Sequence, residues 1–145
     1  MAQINPHINF NGNAEEAFNF YKTVFGGEFS KIIRFKDIAS EEFPVPEKEA
    51  HKLMHIALPI SRETCLMGSD VGGEWAKHIA DGNNIQISIN AESEAEASRI
   101  FNGLSEGGRV NMPLAKTFWG AFFGMFTDKF GINWMVNYDY NQANK

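Results

Sequence analysis

The feature of this sequence that most limits its possible folds is an internal repeat. The short polar residue Asn13 is followed three positions later by Glu16. The same pair recurs 80 positions further on, as Ser93 and Glu96. An alternating apolar–polar run precedes each pair, and an apolar stripe at helical spacing follows it. Both pairs match a capping box. In this motif the polar side chain accepts a hydrogen bond from the backbone amide of the Glu, and the Glu side chain accepts one from the backbone amide of the polar residue. The repeat therefore predicts two modules of the same architecture.

Each module continues in the same way after its predicted helix. Both helices end at a glycine pair suited to a left-handed cap, and three strand-like runs follow. The runs are 29–37, 52–59 and 64–69 in the first half, and 109–118, 121–127 and 132–138 in the second. We therefore predict an α+β fold of two βαβββ modules. The single domain of residues 1–145 would contain module one at about 3–69, a linker at about 70–82 and module two at about 83–139.

Charge and composition narrow the classes of partner. The 145 residues are 43% apolar and carry a net charge of −5, which disfavours a nucleic-acid surface or a polybasic membrane anchor. No apolar run approaches the roughly 20 residues of a membrane span, and the first residues lack the pattern of a signal peptide. The single cysteine cannot form an internal disulfide. We expect a cytoplasmic protein that contacts neither nucleic acid nor membrane and whose ligand is small.

Several segments resemble one known family. They are 9–18, Phe20-Tyr21, Phe25-Gly26-Gly27, Thr117-Phe118-Trp119-Gly120 and 128–137. With them the chain resembles the PhnB-like branch of the glyoxalase/bleomycin-resistance/dioxygenase (vicinal oxygen chelate) superfamily, over Ile4 to Tyr138. The resemblance implies curved mixed sheets that enclose a cavity, helices on the outer face, and a homodimer. Some relatives carry a ubiquinone-pathway methyltransferase label, but we find no glycine-rich strand–loop–helix for such a cofactor.

The resemblance also implies where a metal would bind. Metal-dependent relatives use four strand positions, which fall here on Asn5, on Asn84, on Met135 and on the run 65–69, which holds neither carboxylate nor His. A thioether suits soft ions rather than the harder ions of this superfamily. We therefore expect no metal cofactor. If a divalent ion does bind, a rearranged set of His7, His55 and Gln86 would hold it.

Strand alternation selects the candidate ligand-binding side chains. In the first strand Ile4, Ile8 and Phe10 are expected to face the helix, so the cavity side holds Asn5, His7 and Asn9. In the fifth strand Ile85, Ile87 and Ile89 face the helix, so the cavity side holds Asn84, Gln86 and Ser88. Aromatic residues concentrated near the end of the chain add an apolar wall. The candidate ligand-binding residues are His7, Asn9, His55, Asn84, Gln86, Trp119, Phe123 and Met135. Trp134 is expected to face the helix, and a partner subunit could fill the cavity instead of a ligand.

Two further features leave their roles open. Cys65 is either a small core residue or a nucleophile near His55 on the adjacent strand. The acidic, proline-containing segment 41–49 is either a solvated loop or a lid over the cavity. Neither the composition nor the spacing of these residues decides between the readings.

Three functions from different classes remain open. The first is a dimeric, metal-free protein that binds a neutral or cationic organic molecule. The second is an enzyme of the glyoxalase type, a lyase, isomerase or transferase, that uses the rearranged metal site or a histidine base. The third is a structural or regulatory dimer without ligand. The sequence leaves undecided whether any reaction is catalysed, and it identifies no catalytic residue.

Overall fold

The computed structural model describes residues 2–72, 77 and 79–141, which belong to two compact units, Met1–Ala80 and Asp81–Lys145. Unit 1 contains β1 His7–Phe10, α1 Ala14–Phe25, β2 Lys31–Arg34, α2 Phe35–Ile38, a 3₁₀ turn Glu47–Glu49, β3 Leu53–Pro59 and β4 Cys65–Asp70. Unit 2 contains β5 Ile87–Asn90, α3 Glu94–Ser105, β6 Arg109–Lys116, β7 Ala121–Thr127 and β8 Asn133–Asp139.

Both units contain a four-stranded mixed sheet with the same topology. The strand order is β1-β4-β3-β2 in unit 1 and β5-β8-β7-β6 in unit 2. In each sheet one pair of neighbouring strands is parallel, β1 with β4 and β5 with β8, and the remaining pairs are antiparallel. This repetition confirms the predicted α+β fold of two βαβββ modules. The module bounds and the cavity that the sheets were expected to enclose stay predictions.

In unit 1, α1 packs its apolar stripe against one face of the sheet. The stripe that the sequence predicts is buried, namely Ala14, Ala17, Phe18, Tyr21 and Val24. The ring of Phe18 lies so close to β4 that a Cβ added at Gly68 would be 2.5 Å from Phe18 Cε2. Glycine at position 68 therefore allows the helix to approach the strand.

In unit 2, the core centres on Trp134, which is 1% exposed, as its expected orientation towards the helix requires. The helix α3 buries Ala97, Ile100, Phe101 and Leu104. Trp134 Nε1 donates to Asp128 Oδ2 at 2.8 Å, and Asp128 Oδ1 accepts the amides of Phe130 and Ile132. This buried carboxylate thus anchors the turn between β7 and β8 to the core.

The two long helices are capped differently, and the capping box predicted at Asn13 is wrong. Asn13 has φ −115° and ψ 25° rather than an extended backbone, and its side chain makes no capping bond. Asp70 from β4 accepts the Ala14 amide instead. Ser93 has the extended backbone that a cap needs and accepts the Glu96 amide at 3.0 Å. The Glu96 side chain reaches back as predicted, but it accepts a hydrogen bond from the backbone amide of Glu92 instead of that of Ser93.

Two strands are shorter than the alternation suggested. Ile4 is 96% exposed and Ile85 is 78% exposed, so the expectation that both face a helix is wrong. The strands begin only at His7 and Ile87, where pairing with a neighbouring strand begins. The run 29–37 also ends early as a strand, because α2 follows β2. No helix in the described part of the chain has the length and apolar character needed to cross a bilayer.

Candidate functional site

The face of the unit 1 sheet opposite α1 carries the polar candidates, and we call it the open face of unit 1. Ile8 and Phe10 are buried, so His7 and Asn9 point to the other side of β1. Parallel pairing with β4 sets His7 beside Met67, and Asn9 beside Ser69. His7 and Asn9 therefore lie on the side of β1 that alternation predicts, and their part in ligand binding stays a prediction.

Four side chains form a polar cluster on this face, the His7 cluster: His7, Asn9, His55 and Ser69. His7 Nε2 lies 3.1 Å from Ser69 Oγ, which donates to Asn9 Oδ1 at 3.2 Å. The rings of His7 and His55 have centroids 5.8 Å apart. Because the Ser69 hydroxyl has one proton and gives it to Asn9, His7 must donate from Nε2. The cluster thus selects one tautomer of His7 and leaves its Nδ1 as the acceptor.

Burial and the neighbouring His55 together lower the pKa of His7 below its ordinary value of 6.5. Burial is the larger cause, because removing the ring from water penalises its charged form. The second cause is the positive charge that His55 would carry. His7 is therefore mainly neutral at pH 7, with a free acceptor nitrogen.

The corresponding open face of unit 2 is apolar and partly aromatic. Pairing aligns Met135 with Met125, and Phe123 with Asn137, on the side opposite the buried Trp134. The Trp119 ring lies 5.9 Å from the Phe123 ring at an interplanar angle of 65°. Trp119 is 53% exposed. The structure therefore brings Trp119 and Phe123 together, and Met135 shares the face of Phe123.

The other two candidates lie outside the strands. Asn84 is exposed in a bend, and Gln86 is half-buried one residue before β5 begins. Their expected place on the cavity-facing side of a strand starting near position 84 is therefore wrong, because pairing with β8 begins at Ile87. The residues that sequence reasoning proposed thus form two groups: His7, Asn9 and His55 in unit 1, and Trp119, Phe123 and Met135 in unit 2.

Ser69 is the functional candidate that the sequence analysis missed. It lies two residues after Met67 on β4, so alternation puts it on the open face. The alternation of β4 contains this signal, because Cys65, Met67 and Ser69 share one side of the strand. Cys65 pairs with Pro59 rather than with His55. Burial raises the pKa of the Cys65 thiol, which disfavours the thiolate that a nucleophile needs.

The donor chemistry of the described residues does not fit a hard divalent ion. Asn5 Oδ1 accepts the backbone amide of Cys65 at 3.1 Å, so it serves the sheet. Across residues 2–72, 77 and 79–141, no group of three or more His, Cys, Asp or Glu is arranged to hold a metal ion. The His7 cluster offers two imidazoles, and Nε2 of His7 is engaged with Ser69. Met135 supplies only a thioether.

Comparison with known proteins extends these observations. A family model described as 3-demethylubiquinone-9 3-methyltransferase matches residues 2–137. The crystal structure of protein PA1353 from Pseudomonas aeruginosa is 42% identical, with a TM-score of 0.79 over 96% of this chain and 98% of that one. A putative 3-demethylubiquinone-9 3-methyltransferase, PhnB protein, from Bacillus cereus is 23% identical, with a TM-score of 0.72 over 94% and 99% of the two chains.

A more distant structure relates the fold to the wider superfamily. It is a glyoxalase/bleomycin resistance protein/dioxygenase family enzyme from Burkholderia phytofirmans PsJN, 12% identical, with a TM-score of 0.59. The match covers 92% of this chain and 95% of that one, and at this identity it bears on the fold alone. Together with the family model, which spans nearly the whole sequence, these matches confirm the predicted kinship. The chain belongs to the family described as 3-demethylubiquinone-9 3-methyltransferase, and its fold is that of the PhnB and glyoxalase/bleomycin resistance structures.

Proposed function

We propose that this chain is a small-molecule-binding protein that holds a neutral or cationic organic ligand on the open faces of its sheets, without a catalytic metal. The observation that carries the proposal is the His7 cluster. A few polar groups, held to one another by hydrogen bonds of 3.1 and 3.2 Å, stand beside Met67 and Ala57 on one sheet face. A mostly apolar wall with a few oriented polar groups is the usual composition of a small-molecule site.

The chemistry of the cluster supports a ligand that donates hydrogen bonds. The tautomer of His7 leaves Nδ1 as an acceptor, and its lowered pKa keeps that acceptor free of a proton at pH 7. The net charge of −5 favours a cation over an anion at long range. In unit 2, the Trp119 and Phe123 rings form an aromatic surface of their own, which suits an apolar group.

The proposal includes self-association into a homodimer. Nearly every residue of β6 is exposed, including Val110 and Met112. The adjacent turn carries Phe118, which is 98% exposed, and the half-exposed Trp119. An edge strand and apolar residues in this setting are typical of a surface that a second copy covers. The same exposed surface favours the third alternative, a structural or regulatory dimer without ligand.

An enzymatic role is the second candidate, favoured by the neutral state of His7. A base with a free nitrogen at pH 7 could remove a proton from a bound substrate. A lyase, isomerase or transferase would then use His7 directly as its base. The methyl transfer in the family description would need a methyl donor. The strand–helix junctions 11–13 and 91–93 lack the glycine-rich loop of a nucleotide-like cofactor.

The test is a binding screen read by backbone amide NMR signals. A panel of aromatic and aliphatic amines, with the corresponding alcohols, is titrated into the wild type, His7→Asn, His55→Asn and His51→Asn. His51 is the matched control, because it is an exposed histidine outside the cluster. We expect at least one compound to shift the Asn9 and Ser69 signals and to bind more weakly to the two cluster variants only.

Two results would contradict the proposal. One is a panel in which no compound shifts the open-face signals, which would favour the structural dimer. The other is tight stoichiometric binding of Ni²⁺, Zn²⁺ or Mn²⁺ in calorimetry, lost in His7→Asn and His55→Asn, which would favour the metalloenzyme. Sedimentation of the same samples tests the dimer independently.

A further inference from the structure

A cavity of about 420 Å³ lies in unit 1 at the end of β4, under the segment that follows α2. Its volume falls in the range of small-molecule sites, roughly 300–1,000 Å³. Most of the lining is apolar, from Phe35, Phe43, Val45, Met54 and Val71. The segment 41–49, for which the sequence left open a loop or a lid, therefore forms part of a cavity wall.

The cavity is distinct from the His7 cluster. Of the four cluster residues, only Ser69 also lines the cavity. The remaining polar lining is Asp70 and Glu49. An inference about this cavity therefore goes beyond the function proposed above and can fail independently of it.

Of the two carboxylates in the lining, Asp70 is fully engaged. Its Oδ1 accepts the Ala14 amide and its Oδ2 accepts the Leu53 amide, both at 2.9 Å. Asp70 is also 4% exposed, so it serves the fold rather than a ligand.

Glu49 differs from Asp70, because its Oε2 is buried and accepts no hydrogen bond from the described residues. Lys52 Nζ lies 3.0 Å away and forms an ion pair, but without the alignment of a hydrogen bond. The Lys52 side chain is 32% exposed and can turn to water. The Glu49 carboxylate thus has a single cationic partner, which lies partly in water, and a ligand ammonium can take its place.

The backbone opposite Glu49 leaves room for its carboxylate. A Cβ added at Gly72 would come within 2.8 Å of Glu49 Oε2. Any side chain at position 72 would therefore displace the carboxylate from where it stands. Glycine at position 72 thus leaves space for the side chain of Glu49, which lines the cavity.

We propose that this cavity binds a compact organic cation with an N–H donor and an apolar body, such as a primary ammonium on an aromatic or branched chain. The ammonium donates to the Glu49 carboxylate, and the body packs against Phe35, Met54 and Val71. An N⁺–H to carboxylate bond is about twice as strong as a neutral one, so charge rather than shape dominates the selectivity. Lys52 leaves Glu49 when the ligand binds.

The test compares three probes of similar size and different charge: 2-phenylethylammonium, 2-phenylethanol and 3-phenylpropionate. Each is titrated into the wild-type protein and followed by the backbone amide signals of Val45, Val71 and Gly72. We expect the ammonium to bind about tenfold more tightly than the alcohol, which corresponds to about 1.4 kcal/mol, and the carboxylate to bind most weakly. Equal affinities, or no binding of the ammonium, would overturn the proposal.

Variants assign the preference to Glu49. In Glu49→Gln the ammonium is expected to lose about tenfold in affinity while the alcohol is unchanged, because only the charge-assisted bond is removed. Glu47→Gln is the matched control, an exposed glutamate in the same 3₁₀ turn. Lys52→Gln removes the competing cation and should strengthen ammonium binding.

A Glu49→Gln protein that binds the ammonium as tightly as the wild type would refute the role of Glu49. If Glu49→Gln does not fold, the ranking of the three probes on the wild type still decides. His7→Asn separates this site from the proposed function, because it should leave the cavity titration unchanged. A loss of ammonium binding in His7→Asn would mean that the probe occupies the open face instead.

Discussion

Replacing Asp70 by alanine removes the acceptor of two backbone amides that lie 56 and 17 positions away in the sequence. Both bonds are 2.9 Å long, and the carboxylate is almost fully buried. A hydrogen bond to a charged group contributes about 1.5–3 kcal/mol to stability, and the amides of Ala14 and Leu53 would be left buried and unpaired. A negative charge at a helix N-terminus adds about 0.3–1 kcal/mol. We therefore expect Asp70→Ala to lower the free energy of unfolding of unit 1 by at least about 3 kcal/mol.

The measurement is urea unfolding combined with amide hydrogen exchange. With an m-value of about 2 kcal/mol/M, the urea midpoint should fall by at least about 1.5 M. Exchange at Ala14 and Leu53 should accelerate first. Asp37→Ala is the control, because the Asp37 carboxylate is exposed and accepts a single backbone amide, that of Arg34, so its loss should cost below about 1 kcal/mol. Equal midpoints for the two variants would refute the reasoning, since Asp70 would then contribute no more than a surface carboxylate.

Three further predictions concern packing, an ion pair and pH. Gly68→Ala should destabilise the protein by about 1–3 kcal/mol in thermal unfolding, because the new methyl group overlaps Phe18; an unchanged Tm would contradict this. Arg34→Gln loses the bidentate ion pair with Glu15 of α1 and the hydrogen bond to the His51 carbonyl. Proteolysis near 39–50 should therefore accelerate, while the Tm falls little. The pKa of His7 should be below 6.5 by NMR and rise in His55→Asn. His7 binds its proton at a higher pH in the unfolded chain than in the folded one. The free energy of unfolding should therefore fall as the pH drops from 6.5 towards the folded-state pKa, and this fall should be smaller in His7→Gln.

The sequence predicted the parts of the fold that depend on periodicity. The stripe of α1 and the burial of Trp134 follow from apolar spacing, which burial against a sheet selects directly. The errors fall at element ends. Ile85 continues an apolar–polar alternation, but a strand extends only as far as its neighbour offers pairing, and the pattern of one strand does not contain that information.

The candidate site was predictable to the same extent. Alternation places His7 and Asn9 on the open face, because it needs only the register of one strand. It could not reveal that His7 is hydrogen-bonded to Ser69, since that contact spans 62 positions. The cavity beside Glu49 was likewise out of reach, because loop residues around Phe43 acquire their neighbours only from the tertiary fold.

The different caps of the two long helices bear on how the chain folds during synthesis. Ser93 precedes α3 directly, so this helix has its cap as soon as its first turns leave the ribosome. The cap of α1 is Asp70, 56 positions after Ala14, and a contact that closes so long a loop forms late. Although α1 is made first, we expect it to remain frayed until β4 has been synthesised and paired. The second repeat would then have the faster helix, and mutations in α3 would slow folding more than matched mutations at the start of α1.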